Sequence, residues 1–187
     1  MKNHDKTVSD LNLKTGDIVL FSGRCKVARM IQVLTLCKWS HVGMIIDDPV
    51  YGICSYESTH NDNWPGLDIG RKTQGVQLVK LANRLEKYPG DIAIMRLNNV
   101  KLNEYDLDNL DRFRRESAGK PFENNFFEAF LSMFKWIKNK GDFDYRFCTE
   151  HIGGAWRAMD IISNTYDLHK ITPADFRYRR VKMSLGS

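Results

Sequence analysis

Two side chains that lie far apart in the sequence have the chemistry needed for covalent acyl transfer. Cys148 precedes an amphipathic stretch that begins with Thr149-Glu150-His151-Ile152, and His41 opens an apolar run much earlier in the chain. A thiol becomes a strong nucleophile when a neighbouring imidazole takes its proton, so these two groups are the minimum for such a site. The sequence therefore predicts a cysteine nucleophile and a histidine base, provided that the fold brings them together.

A turn between two apolar segments supplies a third candidate for this site. Residues 39–46 and 51–58 are expected to form antiparallel strands around Asp47-Asp48-Pro49, which has the composition of a turn. If the turn centres on Pro49, Glu57 lies opposite His41, at about 5 Å on the same face of the sheet. Its carboxylate would then orient the imidazole. The same register gives two further opposed pairs, Gly43 with Ser55 and Ile45 with Ile53.

The expected position of Cys148 at the start of a helix favours the reactive form of its sulfur. The unpaired amides and the positive dipole end of a helix stabilise a thiolate. The same amides, including that of Cys148, can donate hydrogen bonds to the oxygen of a tetrahedral intermediate. The predicted roles are nucleophile for Cys148, general base and then acid for His41, and orienting group for Glu57.

Other cysteines weaken or support this assignment. Cys25 also lies near a predicted helix start, after Gly23-Arg24, and is the rival nucleophile. Cys54 has the strand parity that points it away from His41. A free cysteine is also commonly a buried packing residue, so Cys148 has an ordinary structural interpretation as well.

The other histidines offer further alternatives. His60 could replace Glu57 as the orienting group, and His151 is expected to face the flanking core or solvent. A zinc site built from Cys148, His151 and either His41 or His60 lacks the second Cys/His pair that structural zinc sites use. No metal or cofactor is therefore expected.

The composition is that of a globular protein with a modest basic excess. The 187 residues are 42% hydrophobic and 27% charged, with a formal net charge of +5. Part of that charge lies in a cluster near the end of the sequence: Arg177, Arg179, Arg180 and Lys182. Without a basic stripe or a nucleic-acid motif, this cluster fits a solvated terminus, and nucleic-acid binding is not expected. A weak membrane-surface contact through this cluster and an aromatic helix is the alternative.

The length fits one folded domain, with a polar leader at 1–10, a single domain at 11–180 and a tail at 181–187. The leader has no apolar region of the kind that secretory signals carry. No uncharged apolar run approaches the roughly 18 residues of a membrane span. The four cysteines show no regular pairing, so we expect reduced thiols and a cytoplasmic location.

Hydrophobic periodicity predicts an α+β fold, because the strands cluster in the first half of the chain. The expected strands are 18–21, 39–46, 51–58, 75–81 and 92–97. The expected helices are 24–36, 104–118 capped by Asn103, an aromatic helix at 125–138, and a last one that begins at Cys148. The aromatic helix could line an acyl pocket, although a core helix with one buried face is the simpler interpretation.

Five segments follow one another in a fixed order over residues 15–176: Gly16-Asp17-Ile18-Val19-Leu20-Phe21, residues 31–35 leading into Ser40-His41-Val42-Gly43-Met44, Gly119-Lys120-Pro121-Phe122, Phe147-Cys148-Thr149-Glu150, and Thr172-Pro173-Ala174-Asp175-Phe176. This set, with Glu57, resembles the YiiX-like family of permuted papain-fold cysteine peptidases and amidases, in the NlpC-like superfamily. Relatives include lecithin:retinol acyltransferase-like proteins and a poxvirus protein group. Permutation accounts for the order, because papain-type enzymes carry the cysteine first.

The resemblance implies a circularly permuted papain-like fold, in which a central antiparallel sheet or barrel packs against the helix that carries the cysteine. It implies a Cys148/His41/Glu57 site that acts on an amide or ester bond of a small-molecule, peptide or lipid acyl substrate. Hydrolysis and acyl transfer both stay open, and a non-catalytic module that retains the pocket is the alternative. Departures from the family pattern bear on the choice of substrate: Phe122, Phe147 and His151.

Overall fold

The fold is built on one antiparallel sheet of five strands in the order β4-β3-β2-β1-β5. The computed structural model describes residues 8, 11–34, 36–59, 63–86, 88–97, 100–121, 146–165 and 167–168. Within this part of the chain the strands are β1 (Ile18–Ser22), β2 (His41–Asp48), β3 (Gly52–Thr59), β4 (Gly75–Lys80) and β5 (Asp91–Met95). The mixed α/β class and the antiparallel sheet expected from the sequence are confirmed.

Four helices occur in the described residues: α1 (Lys26–Leu34), α2 (Leu81–Glu86), α3 (Glu104–Ser117) and α4 (Arg146–Ala158). Asn103 caps α3 as predicted, since its side chain accepts a hydrogen bond from the backbone N–H of Asp106 and the Asp106 carboxylate accepts one from the backbone N–H of Asn103. The short helix α2 was not predicted. The aromatic helix expected at 125–138 lies outside the described residues. No helix of the described part combines the length and apolar character that crossing a membrane requires.

The two faces of the sheet have different partners, because neighbouring side chains on a strand point to opposite sides. Even-numbered residues of the central strands pack against α4 in a first core cluster, which includes Leu20, Val42, Met44, Tyr56, Ile152, Ala155, Trp156 and Met159. Odd-numbered residues of the same strands, Val19, Phe21 and Ile45, form a second core cluster on the side of α2 together with Val8, Leu13 and Leu81. The sheet is thus covered on both faces over its central strands.

The register predicted for the β2–β3 hairpin is wrong by two residues. The structure pairs Ile45 with Ser55 and Asp47 with Ile53, so opposed residue numbers sum to 100 rather than 98. The turn therefore centres on Val50 instead of Pro49. A shift of this size keeps every side chain on its face, whereas a slip of one residue would exchange the faces. Glu57 accordingly stays on the same face as His41 and becomes its diagonal neighbour.

Helix α1 is anchored to the end of β1 by one side chain. The Nε2 atom of Gln32 lies 3.2 Å from Ser22 Oγ, 3.1 Å from the Gly23 carbonyl oxygen and 2.8 Å from the Lys38 carbonyl oxygen. The Ser40 hydroxyl in turn accepts a hydrogen bond from the Gly23 amide at 3.0 Å. These contacts fix the segment that leads from α1 into β2, and hence the position of the first residue of β2.

The Gly16-Asp17 turn at the start of β1 ties three segments together. The buried carboxylate of Asp17 accepts hydrogen bonds from the amides of Lys14 at 3.0 Å and Leu97 at 2.8 Å, and it pairs with Arg96 at 2.9 Å. Its backbone oxygen accepts a hydrogen bond from the amide of Ile45 at 2.7 Å. One carboxylate thus joins the N-terminal loop to the strand at the edge of the sheet.

Replacing this carboxylate is expected to destabilise the fold. Asp17→Ala leaves two amides and a guanidinium without their acceptor, so the free energy of unfolding should fall by about 2–4 kcal/mol. Urea unfolding followed by circular dichroism measures this loss. Asp47→Ala is the matched control, because Asp47 is exposed and should change stability by less than about 0.5 kcal/mol. Equal losses in the two variants would contradict the role assigned to Asp17.

Candidate active site

His41 and Glu57 form a direct side-chain contact at the end of the sheet. His41 is the first residue of β2, and its Nε2 atom lies 2.7 Å from Oε2 of Glu57, whose side chain is fully buried in β3. The imidazole also stacks on Phe21, with ring centroids 5.5 Å apart. The contact occurs although the two residues are not directly opposed, because diagonal neighbours on one face are within reach of long side chains.

Arg84 completes this arrangement from α2. Its Nε atom donates to Glu57 Oε1 at 2.6 Å and its Nη2 atom to Oε2 at 2.8 Å, in the two-pronged geometry that a guanidinium and a carboxylate share. The side chain is only 6% exposed and lies over the rings of Phe21 and Tyr88, with 5.2 Å and 6.0 Å to the ring centroids. The sequence analysis missed Arg84, although a cation between Leu81 and Leu85 on one helical face was a signal.

The partners of Glu57 decide its charge. Burial by itself would raise the pKa of this carboxyl, but the charge of Arg84 and the hydrogen bond from His41 outweigh it and lower the pKa to about 2. The carboxylate is therefore ionised at every pH at which the protein would work. An ionised and fixed Glu57 holds the imidazole in one orientation.

Cys148 contacts His41 from helix α4, which packs on the face of the sheet opposite to α2. It is the third residue of α4, is partly buried, and packs against the first core cluster. Its side chain hydrogen-bonds with that of His41. Burial alone would lower the pKa of His41, but the hydrogen bonds with Cys148 and Glu57 raise it to about 9. The imidazole is therefore a cation near neutral pH, placed between a sulfur atom and a carboxylate.

The structure thus brings the three residues singled out from the sequence into one chain of contacts. Cys148 contacts His41, His41 contacts Glu57, and Glu57 contacts Arg84. The catalytic roles of these residues stay a prediction, since geometry alone does not test them. The arrangement matches what nucleophilic catalysis needs, which is a nucleophile, an adjacent base and a group that orients the base.

The rival cysteines occupy other environments. Cys25 is exposed, and its sulfur accepts a hydrogen bond from the amide of Ala28 at 3.4 Å, so it caps the start of α1. Cys54 is buried on the face away from His41, and burial raises its pKa to about 12. Cys37 is buried as well. His60, the alternative orienting group, lies outside the described residues.

His151 lies in the core between two aromatic rings. Its ring centroid is 4.7 Å from that of Tyr56 and 5.4 Å from that of Phe113. Burial, with a smaller contribution from Lys120, lowers the pKa of His151 to about 4. The residues described here include no group of three or more His, Cys, Asp or Glu side chains placed to hold a metal ion.

The two histidines should titrate at opposite ends of the pH scale. His41 should lose its proton near pH 9 and His151 should gain one near pH 4, instead of at the ordinary value of 6.5. A raised pKa stabilises the fold fully below pH 6.5, and this contribution is lost as the pH rises to 9. A lowered pKa destabilises the fold as the pH falls from 6.5 to 4.

NMR titration of the imidazole signals tests this, with His41→Gln and His151→Gln to assign them. Titration of both rings near pH 6.5 would show that neither the charge network nor burial acts as described.

The fold of this chain is similar to that of a protein of known structure. No family model matches the chain, and no curated protein matches it in sequence. Among solved structures, the chain is similar to the metalloprotein YiiX from Escherichia coli O157:H7, with a TM-score of 0.52 and 19% sequence identity. The match covers 77% of this chain and spans 64% of the length of that protein. The YiiX-like resemblance read from the sequence is confirmed at the level of the fold, which this chain shares with YiiX.

Proposed function

We propose that this protein is a cysteine-dependent hydrolase or acyltransferase that cleaves an amide or ester bond through a thioester at Cys148. The observation that carries the proposal is the continuous series of contacts from Cys148 through His41 and Glu57 to Arg84. A buried ion pair behind a histidine, with a thiol in front of it, has the parts of a nucleophilic catalytic site. The order of the elements, strands first and cysteine helix last, fits a permuted papain-like fold.

The first chemical step uses the charge state of His41. Because Nε2 of His41 contacts Glu57, Nδ1 is the nitrogen left to exchange a proton with Cys148. In the proposed resting pair the thiol proton is already on His41, and the sulfur attacks the carbonyl carbon of the substrate. The carbonyl π electrons move to the oxygen, and the amide of Cys148 in the first turn of α4 donates a hydrogen bond to it.

The second half of the reaction returns the proton. The imidazolium of His41 protonates the leaving amine or alcohol as the bond to the carbonyl carbon breaks, which leaves an acyl thioester on Cys148. Neutral His41 then takes a proton from water or from a second nucleophile, which attacks the thioester. Collapse of that intermediate releases the acid or the transferred acyl product and restores the thiolate and the imidazolium.

Arg84 and Glu57 act through the histidine. The guanidinium keeps Glu57 ionised in a buried position, and the carboxylate stabilises the imidazolium that both steps pass through. A fixed carboxylate also keeps the ring from rotating, because its oxygen is held by Arg84 on the far side. Both are positioning residues, since they act through His41.

Selective alkylation tests the proposed nucleophile. With iodoacetamide near neutral pH, Cys148 should be modified faster than the exposed Cys25, by roughly tenfold or more, because a thiolate reacts far faster than a thiol. His41→Ala should remove this advantage, and Cys25→Ser should leave the rate at Cys148 unchanged. Peptide mapping by mass spectrometry measures each site. Fast modification of Cys25 with an inert Cys148 would rule out the mechanism.

Acyl thioesters, lipid esters and short peptides then separate an enzyme from a binding module. A covalent acyl adduct on Cys148, absent in Cys148→Ser, supports the enzyme. Binding without any adduct would support a non-catalytic module that retains the pocket.

Substitution of Arg84 tests the positioning network. Arg84→Lys keeps the charge and loses the two-pronged contact, so kcat should fall by about tenfold to a hundredfold, within what a well-placed base contributes. KM should change little. The alkaline limb of the kcat/KM profile, set by His41 near pH 9, should move to lower pH as its carboxylate partner is held less firmly.

Arg84→Met measures how much Arg84 contributes to the stability of the fold. It leaves Glu57 buried without its countercharge and should cost about 3–5 kcal/mol of stability. An Arg84→Lys variant with unchanged kcat and an unchanged pH profile would reduce Arg84 to a structural residue.

A further inference from the structure

Helix α1 carries two exposed aliphatic side chains at its C-terminal end. Val33 is 70% exposed, and Leu36, two residues after the helix, is 94% exposed. The opposite side of the helix is fixed, since Ala28 is buried and Gln32 contacts the end of β1. The two aliphatic groups therefore lie on a rigid support and point into solvent.

Leu36 also occupies a backbone conformation that a leucine disfavours. Its φ is +48°, in the left-handed region. The amide of Leu36 donates to the Val33 carbonyl oxygen at 3.3 Å, and the amide of Cys37 donates to the Gln32 carbonyl oxygen at 3.0 Å. This is the turn that ends many helices, where glycine is the usual residue. A leucine here is unfavourable for the backbone and for solvation, and such outliers concentrate at functional positions.

The sequence around these aliphatic groups is basic, and Lys26, Arg29 and Val33 share one side of α1 because they are three and four residues apart. The chain from residue 24 to residue 46 contains no Asp or Glu. Its four Lys and Arg residues all have exposed side chains: Arg24, Lys26, Arg29 and Lys38. Lys38 pairs with Asp91 at 2.6 Å, on the neighbouring edge strand. The surface thus combines an aliphatic tip with a basic border.

We propose that this surface, formed by Val33, Leu36 and the cations Arg24, Lys26 and Arg29, docks on an anionic lipid membrane. An aliphatic tip can enter the boundary between headgroups and acyl chains while basic residues contact the headgroup phosphates. Two aliphatic side chains are too few for a stable protein interface, which buries about 800 Å² on each partner. The docking site is independent of the chemistry proposed for Cys148.

Docking in this way would place one end of the sheet at the lipid surface. Leu36 is followed after four residues by His41, and the Gly23–Ser40 hydrogen bond keeps that connection close to the end of β1. The part of the molecule that meets the membrane is therefore the end of the sheet at which β2 begins.

Vesicle co-sedimentation of the full chain tests the proposal. The protein should bind vesicles that contain phosphatidylcholine and phosphatidylserine more tightly than vesicles of phosphatidylcholine alone, and high salt should release it. Leu36→Gly should weaken binding roughly tenfold, as expected for removing one aliphatic side chain from the lipid. The same variant should unfold at an equal or higher temperature, because glycine suits the left-handed conformation. This separates lost docking from lost folding.

Substitution of the basic residues and a control variant test the same docking surface. Lys26→Gln combined with Arg29→Gln should weaken binding to the anionic vesicles by roughly 25-fold, at about fivefold for each cation near the surface. Val50→Ser is the matched control, because Val50 is 79% exposed in the β2–β3 turn at the opposite end of the sheet. It should bind as the unchanged protein does.

Three outcomes would overturn the proposal. The unchanged protein could fail to bind the anionic vesicles, or it could bind them with an affinity that none of the α1 substitutions alters. In the third outcome, Leu36→Gly would abolish self-association or binding of another protein and leave vesicle binding intact, which would assign the surface to a protein contact.

Discussion

The arrangement of this molecule depends on one buried carboxylate. Glu57 is fully removed from solvent on β3, where an ionised side chain without partners would cost several kcal/mol. Its two oxygens are satisfied by Arg84 and His41, so the charge is retained and the loss of water is compensated. The short helix α2 has to lie against the sheet for this to work. The position of His41, and through it the contact with Cys148, follows from the same requirement.

The sequence predicted that His41 and Glu57 are in contact, but it did not predict that Arg84 holds Glu57 in place. His41 and Glu57 share a strand parity, and parity survives an error of two residues in the register, so their contact was predicted although the pairing was wrong. The error arose because a turn that contains proline was assumed to centre on it. Arg84 was missed because α2 has only six residues, too few for a helical period to stand out from an apolar strand. Ion-pair partners from different elements have no sequence spacing that would reveal them.

His41 and His151 are the same kind of side chain, but their pKa values are shifted in opposite directions. His41 lies between a sulfur atom and a carboxylate and holds its proton to about pH 9. His151 lies between Tyr56 and Phe113 and stays neutral to about pH 4. Both are partly or wholly withdrawn from water, so burial alone does not distinguish them. The difference comes from the charges within reach, which the fold determines and the residue type does not.

The order of the contacting residues along the chain has a consequence for biosynthesis. His41, Glu57 and Arg84 leave the ribosome well before Cys148, and their side chains contact one another on the α2 side of the sheet. The residues of the charge network are therefore all present in the nascent chain before the thiol is made, although a domain generally folds as a unit. The sulfur meets His41 only when α4 docks on the opposite face. Completion of folding is therefore also the step that joins the sulfur of Cys148 to the charge network.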